Sequence, residues 1–268
     1  MKLDAMVHDR QKAILDRARA TGRVTVEDLA EAFQVSPQTI RKDLNELCER
    51  RYLMRVHGGA TLSSTVENVG YDARRIIAQG EKAAIGRAAA ALIPDEASLF
   101  INIGTTTEAV AEALLQRSGL MVITNNITVA TLMRPYPSLQ VIIAGGLVRS
   151  SDGGIVGEAA VDFIRQFKVD YAIIGISAID LDGSLLDFDY REVKVAQAIA
   201  ENARRVVLVA DATKFERTAP VRMGHLSEID VFVTDECRHE EIRVLCAENG
   251  VELVEAGSAR APAPSLES

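Results

Sequence analysis

The chain has 268 residues, 48% of them hydrophobic and 25% charged, with a formal charge of −8, no tryptophan and three cysteines. That length accommodates about two domains with cores of their own. No apolar run approaches the ~20 residues that span a bilayer, and the start MKLDAMVHDRQKA has no secretory apolar segment, so a cytoplasmic protein is expected.

Cys48, Cys237 and Cys246 make no disulfide framework, which suits a reducing compartment. Cys237 and His239 lack the second pair that a metal site needs, so neither a metal nor a cofactor is expected. The charge is uneven: residues 1–60 carry a net +2 and the remainder a net −10. A slightly basic head on an acidic body fits a small DNA-binding module attached to something else.

In chain order, a periodic stretch near Arg10–Ala20 ends before Gly22. Thr25 caps a second predicted helix with Leu29, Ala30 and Phe33 on its inner face. Ser36 followed by Pro37 signals the start of a third. Tyr52–Val56 reads as a strand, Gly58-Gly59 as a hairpin turn and Ala60–Leu62 as the return strand. Helix, helix, turn, helix, hairpin is the order of a winged helix-turn-helix over residues 1–62.

Residues 63–80 read as a linker, and a helix is predicted from Glu81 to Leu92. Then SLFINI, LMVIT, LQVIIA, YAIIGI, RVVLVA, DVFVT and VELV alternate with helical patterns through residue 255. This α/β alternation predicts a largely parallel sheet with helices on both faces. The tail 256–268, rich in Ala, Pro and Ser, is expected to be disordered.

In the third helix, Ile40, Leu44 and Leu47 form one stripe, leaving Gln38, Arg41, Lys42, Asn45 and Glu49 opposite. A solvated polar face is the ordinary explanation. Against it stand the short break before the helix, the cations in its first turns and the glycine-tipped hairpin after it. Cations near a helix N-terminus oppose the macrodipole, so Arg41 and Lys42 gain nothing there from helix stability. As a recognition helix it places Gln38 and Asn45 for adenine and Arg41 for guanine, with Ser36, Thr39 and Lys42 toward phosphates. Arg55 and His57 lie on the wing, where backbone or minor groove is within reach. VSPQTIRKDLNEL followed by RVHGGA resembles the signature of the DeoR-type transcriptional repressors.

In the body, INIGTTTEAV reads as a strand, a Gly104–Thr107 turn and a helix beginning at Glu108. Glycine and a helix N-terminus suit an anion, and equally an ordinary strand-to-helix turn. Other strand ends supply Asn125 and Gly145-Gly146, and such loops converge on the carboxyl edge of a parallel sheet. Arg149 and SSDGG are expected to close over that edge. Asp187, Asp189, Glu192, Lys194, Asp211 and Lys214 follow; carboxylates there can accept from ligand hydroxyls, and Lys214 is the candidate phosphate partner.

The resemblance continues through GTTTEAVAEAL, VITNN, AGG, SSDGGIVGEAAVDFIRQF, IDLDGSLLDFDYREV and DATKF. It implies a Rossmann-like α/β sensor similar to ribose-5-phosphate isomerase and glucosamine-6-phosphate deaminase, with Gly104, Thr105, Thr106 and Thr107 as a phosphate loop and Lys214 in a strand-end lysine motif. It also implies a homo-oligomer, a tetramer, that leaves operator DNA when a phosphorylated effector binds. Glycerol 3-phosphate is the effector implied, and genes of glycerol metabolism the targets. Asn102 departs from the acidic residue common in the family, which bears on ligand preference. The alternative is a sugar-phosphate isomerase-like enzyme with a DNA-binding head. Such an enzyme needs a base beside the substrate carbon. Histidine is scarce here, His8 and His57 falling in the head and His225 and His239 late in the chain.

Overall fold

A computed structural model describes residues 9–21, 23–49, 52–56, 58–61, 68 and 70–257. His57 and most of the expected tail lie outside these residues.

The head comprises α1 (Asp9–Thr21), β1 (Arg23–Thr25), α2 (Val26–Phe33), α3 (Pro37–Glu49), β2 (Met54–Val56) and β3 (Gly59–Thr61). Thr25 Oγ1 accepts from the Asp28 amide at 3.1 Å, as its capping position predicts. Gln34 turns the chain out of α2 in the left-handed region, at φ 53°. Ile40, Leu44 and Leu47 are fully buried beside Ile14, Leu15 and Leu29.

The wing has three strands in the order β1-β3-β2. β1 was not expected, because three residues carry no period of their own and exist as a strand only through pairing with β3. Gly59 is required there: a Cβ on it would lie 1.9 Å from the Val24 carbonyl oxygen.

The segment read as a linker contains a helix, α4 (Tyr71–Ile76), and α5 begins earlier than predicted, at Gln79, and runs to Ala91. The body then follows as β4 (Ser98–Ile101), α6 (Thr105–Ala113), β5 (Met121–Thr124), α7 (Ile127–Met133), β6 (Gln140–Ile143), β7 (Leu147–Val148), β8 (Ile155–Val156) and α8 (Glu158–Ile164). After these come β9 (Val169–Ile174), β10 (Ala178–Ile179), β11 (Ser184–Asp187), α9 (Tyr190–Glu201), β12 (Ala203–Val209), β13 (Val221–His225), β14 (Val231–Thr234), α10 (Glu240–Asn249) and β15 (Glu252–Glu255).

Seven strands form the parallel sheet, ordered β15-β14-β12-β9-β4-β5-β6. All seven were predicted. Alternate residues face two separate cores, Phe100 and Leu208 toward α8, α9 and α10, Leu99 and Val207 toward α5, α6 and α7. The chain winds outward from β4 through β6, returns beside β4 as β9, and then winds the other way. The gap between the carboxyl ends of β4 and β9 is therefore the topological switch point, where such sheets bind ligands. A small antiparallel sheet, β10-β11-β13, was not predicted.

Candidate functional site

On the head, Ser36, Gln38, Arg41, Lys42 and Asn45 are exposed along α3, and Arg55 is exposed on β2. Thr39 is half-buried, its Oγ1 2.9 Å from Ser36 Oγ, and its amide donates to Ser36 Oγ at 3.2 Å. This pair caps α3 while leaving hydroxyl oxygens at the surface. The helix is clamped from behind, Arg10 Nε donating to the buried Asp43 at 2.6 Å and Gln11 Nε2 to Glu46 at 2.7 Å. The cationic first turns thus lie on a rigid, outward face.

In the body, the structure brings the strand ends together at the switch point. α6 begins at Thr105, three residues before the expected Glu108, so the three threonines form its first turn. Gly104 caps it at φ 150° with no side-chain cap on the free amides. Thr107 is fully buried, and its hydroxyl is within donating distance of the carbonyls of Asn102 (2.7 Å) and Gly104 (2.8 Å). These bonds hold the loop's shape. Thr105 Oγ1 lies at 3.4 Å from the Arg74 carbonyl, and Thr106 is buried.

Asn102 and Asn125 are buried beneath these loops, Asn125 Nδ2 donating to the Ile155 carbonyl at 3.1 Å. Gly145 and Gly146 lie on the exposed rim beyond β6. Lys194 is exposed on α9, away from the buried charges.

Arg149, expected to close over the edge, lines the cavity. Its guanidinium contacts Asp152 at 2.6 Å and 2.9 Å, Glu192 at 2.6 Å and Asp189 at 3.1 Å. One cation contacting three carboxylates lines the wall of the cavity. Burial raises the Asp152 carboxyl, but hydrogen bonds and the charge of Arg149 outweigh it and hold it below the usual range. Burial and repulsion from Asp187 push Glu192 up to about 7 despite Arg149. Asp187, also raised by burial, accepts from Ser177 Oγ at 3.0 Å. Asp189 accepts from the Arg191 amide at the start of α9.

This wall lines a cavity of about 570 Å³ that also takes in Asn68, Tyr71 and Arg74. These three come from the segment read as a linker. Asn68 accepts from Arg217 at 2.7 Å and donates to Ser177 at 3.1 Å. Tyr71 Oη donates to the Glu108 carboxylate at 2.9 Å, and burial pushes the phenol up to about 12. A readable signal existed: Ala73, Ile76 and Ile77 have the i, i+3, i+4 spacing of a helix face.

A group of cations lies near Arg74, outside the cavity lining. Lys214 is buried on a short turn after β12, 4.0 Å from Asp211. Burial brings its ammonium down to about 7; Asp211 opposes this, and Arg217, Lys82 and Arg74 add to it. Burial likewise lowers Arg217 to about 10. Among the described residues, the buried side-chain polar atoms without a hydrogen-bond partner are Arg74 Nε, Asn102 Oδ1, Asn125 Oδ1 and Asp211 Oδ2. Three of the four follow strand ends at this edge, and the fourth faces the cavity. Such atoms each cost about 1–3 kcal/mol when unmatched, so their gathering marks a place suited to a polar ligand.

The DeoR-like helix-turn-helix domain matches residues 10–66 and the DeoR C terminal sensor domain residues 77–236. The chain is 50% identical over 226 residues to the glycerol-3-phosphate regulon repressor of Escherichia coli K12, covering 84% of this chain and 90% of that one. It is 49% identical over 225 residues to the protein of that name in Haemophilus influenzae, covering 84% and 88%. A ribose 5-phosphate isomerase from Methanocaldococcus jannaschii aligns over 52% of this chain and 55% of its own, at 14% identity and a TM-score of 0.40, too distant to inform function. With both domains matched and half of the 226 aligned residues shared with a named repressor, the chain belongs to the DeoR family and is a DeoR-type transcriptional repressor.

Proposed function

We propose that this repressor controls genes of glycerol and glycerol 3-phosphate metabolism and leaves its operator when glycerol 3-phosphate occupies the sensor cavity. The observation that supports the reading is a group of cations near Arg74 beside a carboxylate-lined cavity. Lys214, Arg217 and Arg74 gather near the Gly104–Thr107 turn, where a phosphate dianion is favoured by the charges and by the amides of the first turn of α6. Asp187, Asp189 and Glu192 line the cavity, where carboxylates accept from ligand hydroxyls. Asn102 can donate as well as accept and suits a neutral polar group of the ligand.

On DNA, Arg41 and the amides of Gln38 and Asn45 read base edges in the major groove. Ser36, Thr39, Lys42 and Arg55 hold the backbone. His57, on the wing by its place in the sequence, joins Arg55 in this proposal. A homo-oligomer, a tetramer, would present paired heads to repeated half-sites in the cytoplasm. Ligand and DNA weaken each other by the same factor, because the ligand prefers a form in which the heads are misplaced.

An enzyme reading draws on Glu192, whose value of about 7 would suit a general base. Its carboxylate is held by Arg149 at 2.6 Å, however, and a buried group paired this way serves as a binding wall. No turnover of glycerol 3-phosphate or a ketose phosphate is expected. The deciding experiment is a gel shift on the chain's own upstream DNA with a panel of phosphorylated metabolites. Glycerol 3-phosphate should release the DNA; release by none of them would end the effector reading.

A further inference from the structure

Residues 67–76 fall between the two matched domains, so neither match assigns them a role. The structure places α4 there with two occupied faces. Ala73 is 1% exposed and sits in the core of the head with Ile14, Leu29 and Leu44, and Ile76 and Ile77 pack on that core. The other face belongs to the sensor, with Tyr71 on Glu108 and Arg74 lining the cavity. The backbone of α4 is joined to the sensor as well. Lys82 Nζ donates to the carbonyls of Arg74 and Ile77, and Thr105 Oγ1 of the phosphate turn points at the Arg74 carbonyl.

Arg74 is a lightly held cation on the cavity wall. Among the described residues it forms one ion pair, with Asp152 at 3.3 Å, and Asp152 is already held bidentately by Arg149 at 2.6 Å and 2.9 Å. Its Nε is buried without a hydrogen-bond partner. Its charge is felt by the cations Lys214 and Arg217 and by the carboxylates Asp187 and Glu192. A phosphate monoester is what such a guanidinium is shaped to take, through paired N–H donors that Asp152 does not use.

We propose that Arg74 is an effector-binding residue that takes the phosphate of the ligand together with Lys214 and the Thr105 turn, and that its helix transmits this to the head. Drawing Arg74 onto the anion changes the seat of α4 on the sensor. Because Ala73, Ile76 and Ile77 belong to the packing of the head, the head must follow or give up that packing, and close-packed contacts shift as units.

This inference rests on the sensor reading above, and the test separates the two. Full-length wild type, Arg74→Met and Arg74→Lys are titrated calorimetrically with glycerol 3-phosphate and with inorganic phosphate. Each is also tested for binding to the upstream DNA without ligand, and its melting is followed by circular dichroism. Arg74→Met should lose at least tenfold in affinity for glycerol 3-phosphate, keep ligand-free DNA binding within about threefold, and need correspondingly more ligand for release. Arg74→Lys should fall between them, because one ammonium replaces a forked donor. In wild type, glycerol 3-phosphate should change hydrogen exchange at the amides of 71–77, and in Arg74→Met it should not. Ligand affinity within twofold of wild type in Arg74→Met would remove Arg74 from the site while leaving the sensor reading intact. Loss of ligand-free DNA binding or of the folded melt in both variants would make Arg74 structural. Failure of wild type to bind either phosphate compound would sink the sensor reading, and this assignment with it.

Discussion

Replacing Arg149 by Met is the most direct test of the acidic wall, since it keeps the length and removes the charge. Arg149 is the cation shared by Asp152, Asp189 and Glu192, and its side chain is only 19% exposed. Removing one partner of a buried pair costs about 3–5 kcal/mol, because the charges left behind remain out of water. Asp152 keeps a contact with Arg74, and Asp189 keeps Arg191. The lower end, about 3 kcal/mol, is therefore expected at pH 7.5. With an m-value of about 3 kcal/mol per molar urea, the sensor's midpoint should fall by about 1 M, read by circular dichroism because the chain has no tryptophan.

The sign of the pH dependence follows from the neighbours. Glu192 has a raised value when folded, so the stability tied to its proton is complete below about pH 4.5 and disappears as pH rises through about 7, and Asp187 is raised in the same direction. Without Arg149, Asp152 and Asp189 lose a contact that opposes the effect of burial, and their folded values rise too. The deficit of the variant should thus be larger at pH 8 than at pH 5. A midpoint within about 0.3 M of wild type at both values, or a deficit that is larger at pH 5, would refute this account of the wall.

Arg41→Ala should weaken operator binding by about 1–3 kcal/mol and relax base preference, while binding to scrambled DNA changes less; unchanged discrimination in a gel-shift competition would take Arg41 off the bases. Gly59→Ala puts a Cβ 1.9 Å from the Val24 carbonyl, so β1 must part from β3 and specific DNA binding should fall while the main melting transition of the body holds. Lys214, lowered to about 7 beside Asp211, Arg217, Lys82 and Arg74, should take up close to one proton when a phosphate dianion binds at pH 8. Affinity should then decline from pH 7 to 9, and a binding enthalpy that does not depend on the buffer's ionisation heat would contradict it.

The recognition helix was readable because its signals are local. Ser36 and Pro37 start it, Ile40, Leu44 and Leu47 mark its inner stripe, and an exposed cationic face remains. The seven sheet strands were readable for the same reason, as apolar runs of strand length between helical periods. Their carboxyl ends also located Asn102, Asn125 and Lys214 at one edge, since parallel winding turns sequence order into spatial convergence.

Charge gave no such guide to partners. Arg149, just before SSDGG, looks like a mobile cation, and only folding places Asp152, Asp189 and Glu192 around it. Thr107 looks like a ligand donor, but its hydroxyl is turned onto the carbonyls of its own loop. Asn68, Tyr71, Arg74 and Arg217 are 149 residues apart at the extreme, and no local period ties a linker to the last strands of a sheet. β1 and α4 are similar cases, being too short to hold a conformation by themselves.

Sequence by itself therefore determined the seven sheet strands, most of the helices, the family resemblance and the edge where the strand ends converge, because periodicity, caps and turn residues act within a few positions. Tertiary structure alone decided which charges face one another and that α4 has one face in each domain. Those are pairings across long chain separations, and their energy exists only once the intervening chain has folded.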